Sequence, residues 1–138
     1  MPDTGLNWGA WAAMQKGAGD WSADAIADNG TETGDETSLD GVAACEVGIA
    51  AVEDNTGAID GVVTVYILGT ADGTNFEETT QGGPWAFAFT PVQNDTVYKR
   101  FSVDPGHFGS FKLAIKNEGG QEIAFTLKYR TATIPLAS

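Results

Sequence analysis

The sequence predicts an all-β domain, built as an antiparallel two-sheet β-sandwich of the jelly-roll type with an extended N-terminal arm. Several segments alternate apolar and polar residues, which is the pattern of strands with one buried and one solvent-facing side. Eighteen glycines and five prolines divide these segments by turns, and no segment has a convincing helical period. Many one-sided strands bury their apolar faces most simply in two sheets packed face to face.

The N-terminal residues differ in character from the rest of the chain. Residues 1–20 carry Trp8 and Trp11 among glycines and polar residues, which discourages a long helix and predicts the arm. The two tryptophans need a surface to dock on, either at one end of their own domain or on a neighbouring subunit. Residues 21–138 are then predicted to form a single β-sandwich domain, a size that suits one core.

The segments of alternating residues before the last third of the chain are predicted to be strands. They are predicted at residues 21–28, 42–52, 61–68, 85–89 and 96–103. The segment 28–40 is rich in Asn, Gly, Thr and acidic residues and predicts a loop or an irregular hairpin. Residues 61–68 are almost continuously apolar, as expected for a central strand covered on both faces. Cys45 alternates with apolar residues and is predicted to lie in the core.

The clearest alternation extends over residues 110–130. Two runs of alternating apolar residues flank the segment Asn117-Glu118-Gly119-Gly120-Gln121, whose glycines suit a tight turn. The pattern predicts a β-hairpin with Ile115 opposite Ile123 and all large apolar side chains on one side. Its solvent-facing side would carry the cations Lys112, Lys116, Lys128 and Arg130.

Charge is divided unevenly along the chain. Residues 1–95 hold 16 acidic residues and one basic residue, Lys16, whereas residues 96–138 hold three acidic and six basic residues. The cations either screen the protein's own acidic strands, or an acidic face of one subunit meets a basic face of another. The net charge of −12 argues against binding to nucleic acid, because phosphates would be repelled.

The sequence offers little for catalysis or cofactor binding. One histidine, His107, and one cysteine are too few for an ordinary zinc or copper site, and no nucleophile or phosphate-binding motif is present. We therefore predict a non-enzyme without catalytic residues, metal or cofactor. Acidic loops leave a calcium alternative open, with oxygen ligands from Asp54, Asn55 and Asp60 or from Asp35, Glu36 and Asp40. No run reaches the roughly 18 apolar residues of a membrane span, and no export signal is visible.

Three segments resemble the small virion structural proteins of tailed bacteriophages, which include the decoration or cement proteins of the head. They are VTVYILGTADGTNF at residues 63–76, RFSV at residues 100–103 and FKLAIKN at residues 111–117. The resemblance implies a β-sandwich, a homotrimer, that binds the major capsid protein on the outside of the expanded head and stabilises the shell. It implies a virion protein assembled in the host cytoplasm, where a free cysteine stays reduced, with no nucleic-acid or membrane partner.

Interface residues and competing functions follow from the same patterns. Trp8 and Trp11 are the predicted buried anchors, since aromatic side chains dominate interface energy. The predicted electrostatic complement is Lys112, Lys116, Lys128 and Arg130. One competing function is a carbohydrate-binding module with a stacking platform of Trp21, Trp85 and Tyr98. Another is a tail-associated structural subunit of the virion.

Overall fold

The computed structural model describes residues 5–17, 19–53, 57–80 and 85–135. Over these ranges the protein is all-β, with antiparallel strands and no helix, which confirms the all-β and antiparallel part of the predicted fold class. The jelly-roll-like sandwich stays a prediction. The thirteen strands are β1 Asn7–Trp8, β2 Ala12–Ala13, β3 Gln15–Lys16, β4 Gly19–Asp20, β5 Asp24–Ile26, β6 Thr31–Thr33, β7 Thr37–Ser38, β8 Ala44–Glu53, β9 Val63–Gly69, β10 Trp85–Phe89, β11 Asp95–Val103, β12 Ser110–Asn117 and β13 Ile123–Thr133. Within the described ranges, no helix is long and apolar enough to cross a membrane.

Two large antiparallel sheets contain eleven of these strands. The first sheet has the order β1-β13-β8-β11, with β2 and β5 also paired to β13. The second sheet has the order β10-β9-β12-β6, with β7 also paired to β12. Strands β3 and β4 form a separate two-stranded ribbon. The long strands β8 to β13 begin and end close to where the alternation predicted them, and β10 coincides with its predicted bounds.

One hydrophobic cluster joins the two sheets. Strand β8 alternates half-buried and buried residues along its whole length, and its buried side includes Val47 and Ile49. The same cluster contains Val63 and Val65 from β9, Phe111, Leu113 and Ile115 from β12, and Ile123, Phe125 and Leu127 from β13. Each fully buried side chain of this size contributes about 1.5–3 kcal/mol relative to exposure. The core therefore requires inward-facing residues from both sheets.

Cys45 lies in this cluster, as predicted from its place in the alternation. Its thiol is free, and 2% of the residue is exposed. Burial, reinforced by the neighbouring Glu46 carboxylate, raises the pKa of the Cys45 thiol to about 11. The thiol is thus protonated at neutral pH and acts as a small core side chain.

The prediction that residues 110–130 form a β-hairpin is wrong, because its two strands do not pair with each other. Strand β12 pairs with β9, placing Leu113 opposite Ile67, while β13 pairs with β8, placing Phe125 opposite Ala51. Alternation determines which side of a strand is buried but does not identify the neighbouring strand. Strands β12 and β13 bury their apolar sides in the same core from two different sheets, so their polar sides face away from each other.

The turn between β12 and β13 is held by a buried asparagine. Asn117 is completely buried, and its Nδ2 donates to the carbonyl oxygens of Ile26 at 2.9 Å and Gln121 at 2.7 Å. Its Oδ1 accepts a hydrogen bond from the Gly119 amide at 3.0 Å. Gly120 has a φ of 95°, the left-handed conformation expected of a turn glycine. The chain therefore passes from one sheet to the other at this corner, where both the nitrogen and the oxygen of the Asn117 side chain are hydrogen-bonded.

The N-terminal segment extends both sheets by pairing along β13 and then along β12. Strands β1, β2 and β5 pair one after another along β13, and β6 and β7 then pair along β12. The predicted strand at 21–28 is therefore reduced to β5. The segment 28–40, predicted to be a loop or an irregular hairpin, contains the short strands β6 and β7, which pair with β12. Trp8 and Trp11 contact Arg130 of their own chain, and no separate arm is seen over residues 5–17. Docking on a neighbouring subunit stays a prediction. The division at residue 20 stays a prediction.

We expect Asn117→Ala to lower the free energy of unfolding by about 2–4 kcal/mol, because the substitution leaves two carbonyl groups and one amide without their partner inside the protein. Urea denaturation followed by circular dichroism measures the change. Asn7→Ala is the matched control, since Asn7 is exposed in β1, and it should change the free energy of unfolding by less than about 0.5 kcal/mol. Equal effects of the two substitutions would show that the corner does not depend on Asn117.

Candidate binding surface on the first sheet

The outer face of the first sheet is shaped by the small residues of its middle strand. Strand β8 lies between β13 and β11, and the register places outward residues of the three strands in rows. The rows, from β13 through β8 to β11, are Thr126, Ala50 and Tyr98; Lys128, Gly48 and Arg100; and Arg130, Glu46 and Ser102. Because β8 contributes only glycine and alanine to two rows, a trough runs along it between longer side chains. We call this surface the trough face.

Two tryptophans from the N-terminal segment border the trough face. The pairings of Trp8 with Ala132 and of Ala12 with Tyr129 bring both tryptophans close to Arg130 on β13. The Arg130 guanidinium carbon lies 4.4 Å from the Trp8 ring centroid and 4.9 Å from the Trp11 ring centroid. Cation–π contacts at such distances stabilise by about 0.5–2 kcal/mol each. Arg130 therefore fixes the orientation of both rings.

Glu46 connects this aromatic group to the next strand. Its Oε1 lies 3.1 Å from Nη2 of Arg130, and its Oε2 lies 3.3 Å from Nε of Arg100. The Glu46 and Arg130 side chains are 17% and 25% exposed, so this ion pair is better shielded than an ordinary surface pair. Lys128 has no ion-pair partner anywhere in the described part of the chain. The face thus carries three cations against one carboxylate on a chain of net charge −12.

The trough itself has a volume of about 310 Å³. A Cβ atom at Gly48 would lie 3.5 Å from the Trp11 ring, so the indole covers the glycine in ordinary van der Waals contact. On the opposite side Tyr98 is 77% exposed. Trp11 therefore lies over the floor at Gly48, and Tyr98 borders the floor beside Ala50. Such a surface can bind a flat or extended apolar group.

The six predicted interface residues divide between the two sheets. Trp8, Trp11, Lys128 and Arg130 lie on the trough face. Lys112 and Lys116 point away from the core on the second sheet, where Lys112 Nζ lies 4.7 Å from the Phe76 ring and Lys116 Nζ lies 3.8 Å from Glu118. Because β12 and β13 belong to different sheets, the four cations form no single basic face. Their role in an interface stays a prediction.

The predicted sugar-stacking platform is not assembled. Trp21 is 1% exposed, with Lys16 Nζ lying 5.1 Å from its ring centroid. Trp85 is exposed in β10 of the second sheet and packs edge-on against His107 at 5.3 Å, whereas Tyr98 belongs to the first sheet. The sequence-based interpretation missed that Trp11 shares a face with Tyr98. The available signal was the run of small residues at alternate positions 48 and 50, which leaves space above β8.

No metal-binding cluster is found among the described residues. Asp54 and Asn55 of one calcium alternative lie outside those ranges, as does part of the turn they belong to. The Asp72 carboxylate accepts hydrogen bonds from the amides of Thr74 at 2.8 Å and Asn75 at 2.7 Å, which hold its pKa well below the usual range. This acid therefore stabilises its own turn.

Comparison with known proteins gives no family assignment. No protein-family model matches the chain, and no curated protein matches it. The function has to be argued from the chemistry of the trough face.

We expect Arg130→Met to lower the free energy of unfolding by about 1–2 kcal/mol, because it removes two ring contacts and the partly shielded pair with Glu46. Lys128→Met is the matched control, since it makes the same charge change two residues away on the same strand without losing an ion pair. The control should stay within about 0.5 kcal/mol of the unchanged chain. Chemical denaturation measures both, and equal losses would contradict the stabilising role of Arg130.

Proposed function

We propose that the chain is a decoration (cement) protein of a bacteriophage head, a jelly-roll-like β-sandwich that docks on the assembled shell through the trough face. The single core shared by two antiparallel sheets supports the sandwich assignment. The resemblance of residues 63–76, 100–103 and 111–117 to small virion proteins supports the location. In this proposal the partners are the major capsid protein and two further copies of the chain, and the protein is not an enzyme.

The residue composition of the trough face is the observation that supports the docking role. Trp8, Trp11 and Tyr98 are 37%, 40% and 77% exposed, and Arg100 and Arg130 lie beside them. Protein interfaces are enriched in tryptophan, tyrosine and arginine, and these residues make the largest contributions to binding. Exposed aromatic rings gathered on one face, beside three cations in a chain of net charge −12, favour a protein partner.

The trough face is also organised before any partner arrives. Contacts of Arg130 with Trp8, Trp11 and Glu46 restrict three large side chains in the unbound protein. Restricting side chains in advance reduces the conformational entropy lost on binding, so more of the contact energy is available for affinity. A protein that binds only the assembled shell must stabilise that shell through mass action. These two properties fit a cement role.

A carbohydrate-binding module is the second candidate, and one observation favours it. Trp11 and Tyr98 flank one trough, and aromatic walls of this kind suit a sugar ring. However, apart from its cations, the trough lining offers few side-chain groups for sugar hydroxyls, notably the hydroxyls of Thr126 and Tyr98. We therefore place protein docking first. A tail-associated virion subunit would use the same surface and differs only in the particle that it binds.

We expect the purified chain to load saturably onto empty head shells of the phage that encodes it, when those shells are prepared without it. Loading should raise the melting temperature of the shells, as measured by calorimetry, because only the assembled state binds the protein. Replacing both Trp8 and Trp11 with alanine should weaken loading at least about tenfold, a loss of about 1.4 kcal/mol or more. Co-sedimentation measures occupancy, and light scattering gives the mass of the free chain.

The matched control is Trp85→Ala, because Trp85 is exposed on the second sheet. It should load like the unchanged chain. Circular dichroism must show that the double variant is folded. If the folded double variant loads onto the shells as well as the unchanged chain does, or if the unchanged chain does not load, the proposal is wrong.

A further inference from the structure

Strand β11 is the edge strand of the first sheet, and half of its backbone groups point away from that sheet. Among the described strands it pairs with β8 alone, over all nine of its residues. On the far side of the sheet, Leu127 of β13 donates to Trp21 and accepts from Met14, so odd-numbered residues of β13 bond to the N-terminal segment. Alternate residues of an antiparallel strand bond to opposite neighbours. The register from β13 through β8 to β11 therefore directs the backbone groups of the even-numbered residues of β11 outward.

The outward groups of β11 are open to pairing with another strand. They belong to Thr96, Tyr98, Arg100 and Ser102. In agreement with this direction, the Thr96 amide donates to the side chain of the adjacent Asp95 at 2.7 Å. A long edge strand with open backbone groups is a template for strand addition, and β11 contains neither proline nor glycine to interrupt it. Its side chains must then determine which strand is accepted.

Lys99 restricts the strands that this edge can accept. Its side chain lies on the core side of β11, the side of Val97 and Phe101, and its Nζ lies 5.9 Å from the ring centroid of Phe89. Lys99 forms no ion pair with an acid of the described ranges. A charge directed inward on an edge strand disfavours an apolar partner strand, because pairing would cover the charge without a counter-ion. A strand that pairs here must place a carboxylate opposite Lys99.

A second copy of β11 supplies that carboxylate. Asp95 and Lys99 have opposite charges and lie two residues before and two residues after Val97, on the same side of the strand. Antiparallel pairing centred on Val97 places Asp95 of each copy opposite Lys99 of the other. It also places Thr96 opposite Tyr98 of the second copy, and the backbone groups of both residues point outward. The first half of β11 is therefore complementary to itself in charge and in hydrogen bonding.

The neighbouring registers lack this match. Pairing centred on Tyr98 places Lys99 opposite Val97, which leaves the lysine without a counter-ion. Pairing centred on Lys99 places two lysines opposite each other, and like charges at facing positions are destabilising. A shift by one residue in a single copy would turn the core side of that strand outward. Charge therefore selects the register centred on Val97.

We propose that two copies of the chain pair through β11, antiparallel and centred on Val97, so that the first sheet continues from one copy into the other. The two-fold axis is perpendicular to the sheet, and both trough faces then lie on the same side of the joined sheet. The pairing goes beyond the proposed function and adds a two-fold contact to the three copies named there. Because only residues 95–99 of each strand face each other, the free pair is weak, with a Kd of about 0.1–1 mM.

Cross-linking of the full chain in solution tests the register. Val97→Cys places two thiols at facing positions that are not joined by backbone hydrogen bonds, where side chains of paired strands are closest. Mild oxidation at about 0.1 mM chain should then give a covalent dimer on a non-reducing gel. Tyr98→Cys is the matched control, since Tyr98 faces Thr96 of the second copy, and it should cross-link at least about tenfold more slowly. The native Cys45 is buried and does not compete.

Charge reversal in the Val97→Cys chain tests the ion pairs. Asp95→Lys alone or Lys99→Asp alone should slow cross-linking at least about tenfold, because like charges then face each other at two positions. Combining the two reversals restores opposite charges and should return the rate to within about threefold of the Val97→Cys chain. Damage to the fold by either substitution would not be repaired by the other. Circular dichroism of each variant checks that it is folded.

Three outcomes would overturn the proposal: no covalent dimer of Val97→Cys, equally fast cross-linking of Tyr98→Cys, or no recovery when the two charge reversals are combined. None of these measurements uses head shells. The pairing can therefore fail while the decoration role stands, and the decoration role can fail while the pairing stands.

Discussion

The fold depends on one constraint, that the apolar sides of β12 and β13 must meet in a single core although the strands belong to different sheets. Only a short turn separates the strands, so the chain has to pass between sheets within a few residues at a buried position. Asn117 makes this possible because its side chain satisfies two carbonyl groups and one amide there. The polar sides of β12 and β13 therefore belong to two different sheets, and each sheet has its own solvent-facing side.

Alternation in the sequence was sufficient to predict an all-β, antiparallel chain, the long strands and the buried position of Cys45. It could not predict pairing, because a strand with one apolar side looks the same whether its neighbour follows it in sequence or lies in another sheet. The short strands of the first 40 residues carry no such pattern. Apart from the β3-β4 ribbon, these strands exist through hydrogen bonds to the edges of β13 and β12, such as that from the Gly9 amide to the Thr131 carbonyl oxygen at 2.9 Å, which only the tertiary structure supplies.

The candidate site was predicted in part for the same reason. Trp8, Trp11, Lys128 and Arg130 share the trough face, but Tyr98 and Arg100 join them only through the pairing of β11 with β8. Several cations do screen the chain's own acids, including Lys16, the single base of the first 95 residues, which pairs with Asp24 and Glu32. Lys128 pairs with none of the described acids, so its charge is available to a partner. The small residues Gly48 and Ala50 on β8 are thus as important to the trough as the aromatic rings, because their small size leaves the space that the rings border.

Oxidative footprinting of the chain on and off head shells tests most directly whether the trough face is the docking surface. Hydroxyl radicals modify exposed aromatic rings, and mass spectrometry reports the extent of modification at each position. The account predicts that Trp8, Trp11 and Tyr98 become protected on the shell, while Trp85 on the second sheet remains as reactive as in the free chain. Protection of Trp85 with unchanged reactivity of Trp8, Trp11 and Tyr98 would contradict it and place docking on the other sheet.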